Sequence, residues 1–346
     1  MKCKVVLLSF LSIWCILIAM NEEKIKNLRM QYKNDDSGKV FLVCLIFPFL
    51  LALLFSTIAS KIAENQGVEA TTITSSLPYV SIYSIVTFAL YLIMFFVYNK
   101  INKVSFKAVN LKFKMPWHTY LIAIAIGVIS LLGINYFIGA TDNFLEFIGY
   151  PVNQGLPLVN PTSFPLYLLA VLLMAVLPAI YEELMFRGII LHGLRSRFSE
   201  WGAILLSGLM FALMHGNLQQ FVYPFILGCI MGWIVLRTGS LVSSMIVHFT
   251  NNFLVVTFAF IENMTGFSLA LPNAWWFYLI AVGLLVVTGG ILWLVEKCYF
   301  KRKNTNLQEG ASQKTSIYVY LSIAVSVLMF LVVTITGFVS NGIVNG

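Results

Sequence analysis

Three apolar stretches of this chain each carry polar side chains of the kinds that move protons. One reads Tyr181-Glu182-Glu183-Leu184-Met185-Phe186-Arg187, the next ends Phe211-Ala212-Leu213-Met214-His215, and the third contains His248-Phe249-Thr250-Asn251-Asn252. On a helix, Glu183 and Arg187 stand four residues apart and can pair, which keeps the carboxylate ionised and fixed. Glu182 points about 100° away and is free for another partner. His248 and Asn252 are also four apart, so both reach one point. Peptide hydrolysis needs a base to activate water and donors to hold the developing oxyanion. A glutamate with an imidazole supplies the first, and an imidazole with an asparagine amide can supply the second.

The elements that must position these groups are membrane spans. Of 346 residues, 59% are hydrophobic and only 10% charged, against about 25% charged in a soluble domain. A surface so poor in charge is solvated by lipid. Crossing about 30 Å of hydrocarbon takes about 20 apolar residues. Ten stretches qualify: Val5–Met20, Val40–Ser60, Tyr79–Tyr98, Trp117–Gly139, Phe164–Leu184, Trp201–His215, Gln219–Leu236, Leu241–Ile261, Ala274–Val295 and Ile317–Val339. The first and sixth are short. Lys2 and Lys4 before the first resemble a signal peptide, but no clear small-residue cleavage site follows, so a retained helix is expected. The count falls to nine if it is not retained. The fold class is therefore an all-α polytopic transmembrane bundle.

The net charge of +8 could suggest nucleic acid, but its placement excludes that partner. Nineteen of the 22 lysines and arginines, Arg187 among them, are assigned to alternate loops, and those loops should face the cytoplasm. This puts the C-terminus outside, in what is expected to be the plasma membrane. From that side, Glu182 lies about 20 Å deep, His215 about 21 Å, His248 about 17 Å and Asn252 about 23 Å, at 1.5 Å per residue. Three helices thus carry an acid, imidazoles and an amide to similar depth. Ionisable groups in lipid cost about 2.5–3.5 kcal/mol each, so these should face the protein interior or a water-filled cavity. Pro178 should bend its helix by freeing the Met174 carbonyl. Arg187, a turn nearer the cytoplasm, can snorkel.

The E-E-x-x-x-R, F-x-x-x-H and H-x-x-x-N patterns, in this order and each in an apolar segment, resemble those of the CAAX prenyl endopeptidase and bacteriocin-processing (CPBP) family of intramembrane proteases. Lysostaphin-resistance-like and Abi proteins share that domain. The resemblance covers roughly Phe164–Ala259 and divides the chain into N-terminal helices (1–163), a protease core (164–260) and C-terminal helices with a cytoplasmic linker (261–346). It implies a helical bundle with an intramembrane site. By that resemblance, Glu182 and His215 activate water, His248 and Asn252 stabilise the oxyanion, and Glu183 and Arg187 support them. Such proteins are often called metalloproteases, and Glu182, His215 and His248 are the residues that could ligate zinc. No H-E-x-x-H is present. A glutamate-dependent mechanism without a required cofactor is favoured, with zinc left open. The substrate class is a hydrophobic or membrane-tethered peptide.

Other readings compete. A transporter also needs polar groups at the midplane, but it would show two related halves, which the chain lacks. A non-catalytic scaffold of the same fold is the third. The Glu183–Arg187 pair could serve insertion alone. Asn251 points to another face and reads as a packing contact, as do His118 at an interface and His192 near a helix end. Gly228 and Gly232 read as close helix packing. The five cysteines form no C-x-x-C pair and suit apolar packing.

Overall fold

The computed structural model describes residues 28, 30–150, 152, 159, 161–266, 276–300 and 315–344. Among these there is no strand, and nine long helices follow one another: α1 (Asn34–Gln66), α2 (Leu77–Ile101), α3 (Trp117–Phe147), α4 (Phe164–Arg195), α5 (Glu200–Met214), α6 (Val222–Thr238), α7 (Leu241–Thr265), α8 (Trp276–Cys298) and α9 (Ile317–Val344). They coincide with nine of the ten expected spans. The tenth, Val5–Met20, lies outside the described residues. Helices suit this solvent because each satisfies its own backbone groups where lipid offers no partner. Their outward faces are apolar and uncovered: Leu50 and Leu54 on α1, Ile82 and Ile85 on α2, and Leu328 and Val332 on α9 are all exposed. The chain is an integral membrane protein.

Helix α4 runs through the middle and packs against α1, α2, α5, α6 and α7. It is not a uniform α-helix. Two π-helical stretches, Val171–Val176 and Leu184–Ile190, flank the segment Leu177–Glu183 that carries the two glutamates. Pro178 explains the need for adjustment, since it has no N–H to give the preceding turn. The Met174 carbonyl takes its hydrogen bond instead from Asn252 Nδ2 on α7, at 3.1 Å. Further along, Ser37 Oγ on α1 donates to the Ile190 carbonyl at 3.0 Å, and His192 Nδ1 donates to the Arg187 carbonyl at 2.6 Å. His192 is thereby fixed as a structural bridge, with its Nε2 facing Asn110 Nδ2 at 3.1 Å.

The hairpin α5–α6 is built for close approach. A Cβ placed on Gly228 would stand 3.0 Å from Gly208 Cα, so neither position accepts a side chain without separating the helices. Helix α6 stops at Gly239, whose φ of 64° is the left-handed conformation that glycine adopts without strain. The core around α4 is sealed by Phe41, Phe186, Ile189, Ile190, Leu191 and Ile204, all fully buried. Helix α5 is short, 15 residues, yet it presents Trp201 and Leu205 outward. It ends at His215.

Candidate active site

Glu182 and Glu183 sit side by side on α4 in different surroundings. Glu183 is wholly buried, and its Oε1 accepts from Arg187 Nη1 at 2.7 Å. It also accepts from His248 Nδ1 on α7 at 3.0 Å. Glu182, 8% exposed, has its Oε2 3.9 Å from His248 Nε2. That gap exceeds a direct hydrogen bond and is of the size to ask for a bridging water. His248 is thus held between both carboxylates.

Arg187 does not snorkel. It is completely buried, donates through Nη2 to the Gly228 carbonyl at 3.0 Å, and lies with its Cζ 4.4 Å from the Phe211 ring centroid. Glycine at 228 permits this, because a Cβ there would come within 3.2 Å of Nη2. The ion pair with Glu183, the carbonyl and the aromatic face together compensate a buried charge that would be costly alone. Arg187 therefore belongs to the bundle interior and not to a cytoplasmic loop. The alternation of basic loops does not depend on it.

Phe211, quoted in the F-x-x-x-H pattern, has a position in the site that the pattern alone did not explain. Its ring meets Arg187 on one side, His215 edge-on at 4.9 Å and His248 edge-on at 6.0 Å. His215 Nδ1 donates to the Phe211 carbonyl at 2.8 Å, and this half-buried ring lies within electrostatic reach of Glu182 and His248. The two partners fix both tautomers. A carbonyl only accepts, and a carboxylate paired with arginine only accepts, so each imidazole carries its proton on Nδ1. In the neutral ring Nε2 of each is then left as an acceptor.

Asn252 was expected to act beside His248. One of its amide hydrogens is committed to Met174, as described above, and its Oδ1 accepts from Asn251 Nδ2 at 3.2 Å. Asn251 is not a bland packing contact. It is wholly buried, and the same Nδ2 donates to the Tyr223 hydroxyl at 2.8 Å. Sequence reasoning passed over Tyr223 because a tyrosine at the start of an apolar helix reads as an interfacial aromatic. Among the described residues no group of three or more His, Cys, Asp or Glu side chains is gathered as a metal ion requires. Both Nδ1 atoms are engaged, by a backbone carbonyl and a carboxylate, which leaves Nε2 of each ring as the atom that could ligate a metal. A groove of about 440 Å³, lined by Trp201, Phe225, Cys229, Trp233, Trp293 and Glu296, opens elsewhere, between α3, α5, α6 and α8, and includes none of these polar groups.

Residues 164–254 match the family model of the Type II CAAX prenyl endopeptidase Rce1-like proteins. The match runs from the start of α4 into α7, which is the part of the chain that carries every residue of this cluster, and it bears out the resemblance read from the three patterns. It points to a membrane peptidase in general terms. Searches of the curated proteins and of the solved structures gave no match to the chain.

Proposed function

We propose that the chain is an intramembrane endopeptidase that hydrolyses a peptide bond in a hydrophobic or membrane-tethered peptide, with Glu182 as general base and no metal in the reaction. The observation that carries this reading is the 3.9 Å separation between Glu182 Oε2 and His248 Nε2, inside a bundle whose outer surface faces lipid. A water placed there touches a carboxylate that can take its proton and an imidazole lone pair that orients it. His215 Nε2, on a ring within electrostatic reach of Glu182, is the alternative acceptor for the water's second hydrogen. Glu182 takes one proton, the water oxygen bonds to the scissile carbonyl carbon, and the carbonyl π pair moves to oxygen. The Glu182 proton then passes to the leaving nitrogen as the C–N bond breaks. Glu183 and Arg187 hold His248 in its tautomer. Asn252 offers its second amide hydrogen to the oxyanion. His248, expected beforehand as an oxyanion donor, is assigned here to the water, because its Nε2 in this tautomer accepts.

The test is cleavage of a membrane-peptide library by the protein in liposomes. Glu182→Gln keeps shape and hydrogen bonding but cannot act as base, and should lose about 10²-fold or more in turnover while melting like wild type. A Glu182→Gln protein that cleaves at the wild-type rate removes Glu182 from the role. Retained cleavage after exhaustive chelation supports the metal-free form, and loss that added zinc restores overturns it.

A further inference from the structure

The peptidase reading leaves the oxyanion with one neutral donor, the second hydrogen of Asn252. With Nδ1 donating in each, the neutral rings of His215 and His248 keep their lone pairs on Nε2 and accept there. Sites that stabilise a tetrahedral oxyanion aim two donors at it as a rule. Tyr223 on α6 has what is missing. Its hydroxyl accepts an N–H from Asn251, which leaves its own hydrogen uncommitted among the described residues. Asn251, completely buried, ties that hydroxyl to the Asn252 amide from which it also draws an acceptor. The phenol thus stands beside Asn252, one helical turn from His248 along α7, and within electrostatic reach of Glu182.

Resting on the peptidase reading, we propose that Tyr223 is a catalytic oxyanion donor, paired with Asn252 and aimed by Asn251. The physical case is threefold. Accepting a hydrogen bond from Asn251 polarises the O–H and strengthens it as a donor. A neutral phenol costs less to keep inside the bundle than a cation would. Its rigid ring enters from α6, whereas the base enters from α4 and the amide from α7, so donor and base approach the carbonyl from different helices. In the reaction the hydroxyl shares its hydrogen with the carbonyl oxygen as the π pair moves there, and keeps it when the C–N bond breaks. Nothing is consumed.

The experiment compares wild type, Glu182→Gln, Tyr223→Phe and protein with fluorotyrosines of graded acidity at position 223, all in liposomes with the membrane-peptide library. Tyr223→Phe should lower kcat by about 10²–10³-fold, the effect of deleting one oxyanion donor, with KM little changed and the fold retained. Among the fluorotyrosines, kcat should rise with phenol acidity at a pH where the ring stays protonated. These variants keep the hydroxyl, so they carry the test even if Tyr223→Phe does not fold. Wild-type kcat in Tyr223→Phe beside a dead Glu182→Gln overturns the assignment of Tyr223 and leaves the peptidase reading standing. Indifference of kcat to fluorination means that the tyrosine only props Asn251, and this too overturns it. A wild-type protein that cleaves none of the peptides, or a Glu182→Gln protein as fast as wild type, takes down the peptidase reading and this assignment with it.

Discussion

Adjacent carboxylates with different neighbours should answer the same substitution differently. Glu183 shares Oε1 between a buried guanidinium and an imidazole. Glu183→Gln removes the charge that Arg187 needs and leaves a cation without a counter-ion in the interior, a change worth about 3–5 kcal/mol. The expected outcome is a clearly lower Tm in detergent with partial turnover, since the glutamine oxygen can still accept from His248. A variant that melts with wild type would show that Gly228 and Phe211 suffice to hold Arg187. The Glu183–Arg187 pairing was legible in the sequence, because i,i+4 spacing on one helix is local information. The burial of Arg187 was not. It depends on a carbonyl from α6 and a ring from α5, and helical spacing within α4 carries no trace of either. Asn251 and Tyr223 escaped for the same reason, because they meet only when α6 and α7 are packed.

At the scale of elements, the proline in α4 and the asparagine in α7 form a coupled pair. Met174 has lost its α-register partner to Pro178, and Asn252 Nδ2 takes that place. Asn252→Leu should therefore strip a carbonyl of its bond in a water-poor interior, at about 1–3 kcal/mol. In the Pro178→Ala background the restored N–H can serve Met174, so the same substitution should cost less there. A double-mutant cycle on thermal or denaturant stability measures this, and additive effects would mean that the two residues do not communicate through Met174. The spans themselves were readable from hydropathy, since nine expected stretches coincide with helices. Their ends were less so: α1 begins at Asn34 and runs to Gln66, beyond Val40–Ser60 at both ends. An apolar window closes at the first charged residues, whereas the helix continues through Asp35, Asp36 and Lys39, with Lys39 3.8 Å from Asp35. Pro178 announced a disturbed turn, but the π-helical stretches on either side of the glutamates depend on how α4 settles among its neighbours.

For the whole molecule, the orientation follows from where the cations lie. The stretch between α2 and α3 carries Lys103, Lys107, Lys112 and Lys114, whereas that between α1 and α2 holds Glu69 and no lysine or arginine. Cysteines introduced at Lys107 and at Glu69 in a cysteine-free background should react with an impermeant reagent from opposite faces, Lys107 from the cytoplasm. Labelling of both from one face would overturn the topology. The short helix α5 has a consequence of another kind. Its 15 residues span roughly 22 Å, and lipid chains beside Trp201 and Leu205 belong to a hydrocarbon layer roughly 30 Å thick. The bilayer meets the shortfall by elastic compression or by letting headgroups sink beside the end of the helix, at a fraction of a kcal/mol per Å. That end is His215, so the dimple that α5 imposes on one leaflet also shortens the distance from bulk water to the imidazole. A thinner bilayer would relieve strain and hydrate the site in one movement, which would make membrane thickness a physical variable of the proposed hydrolysis.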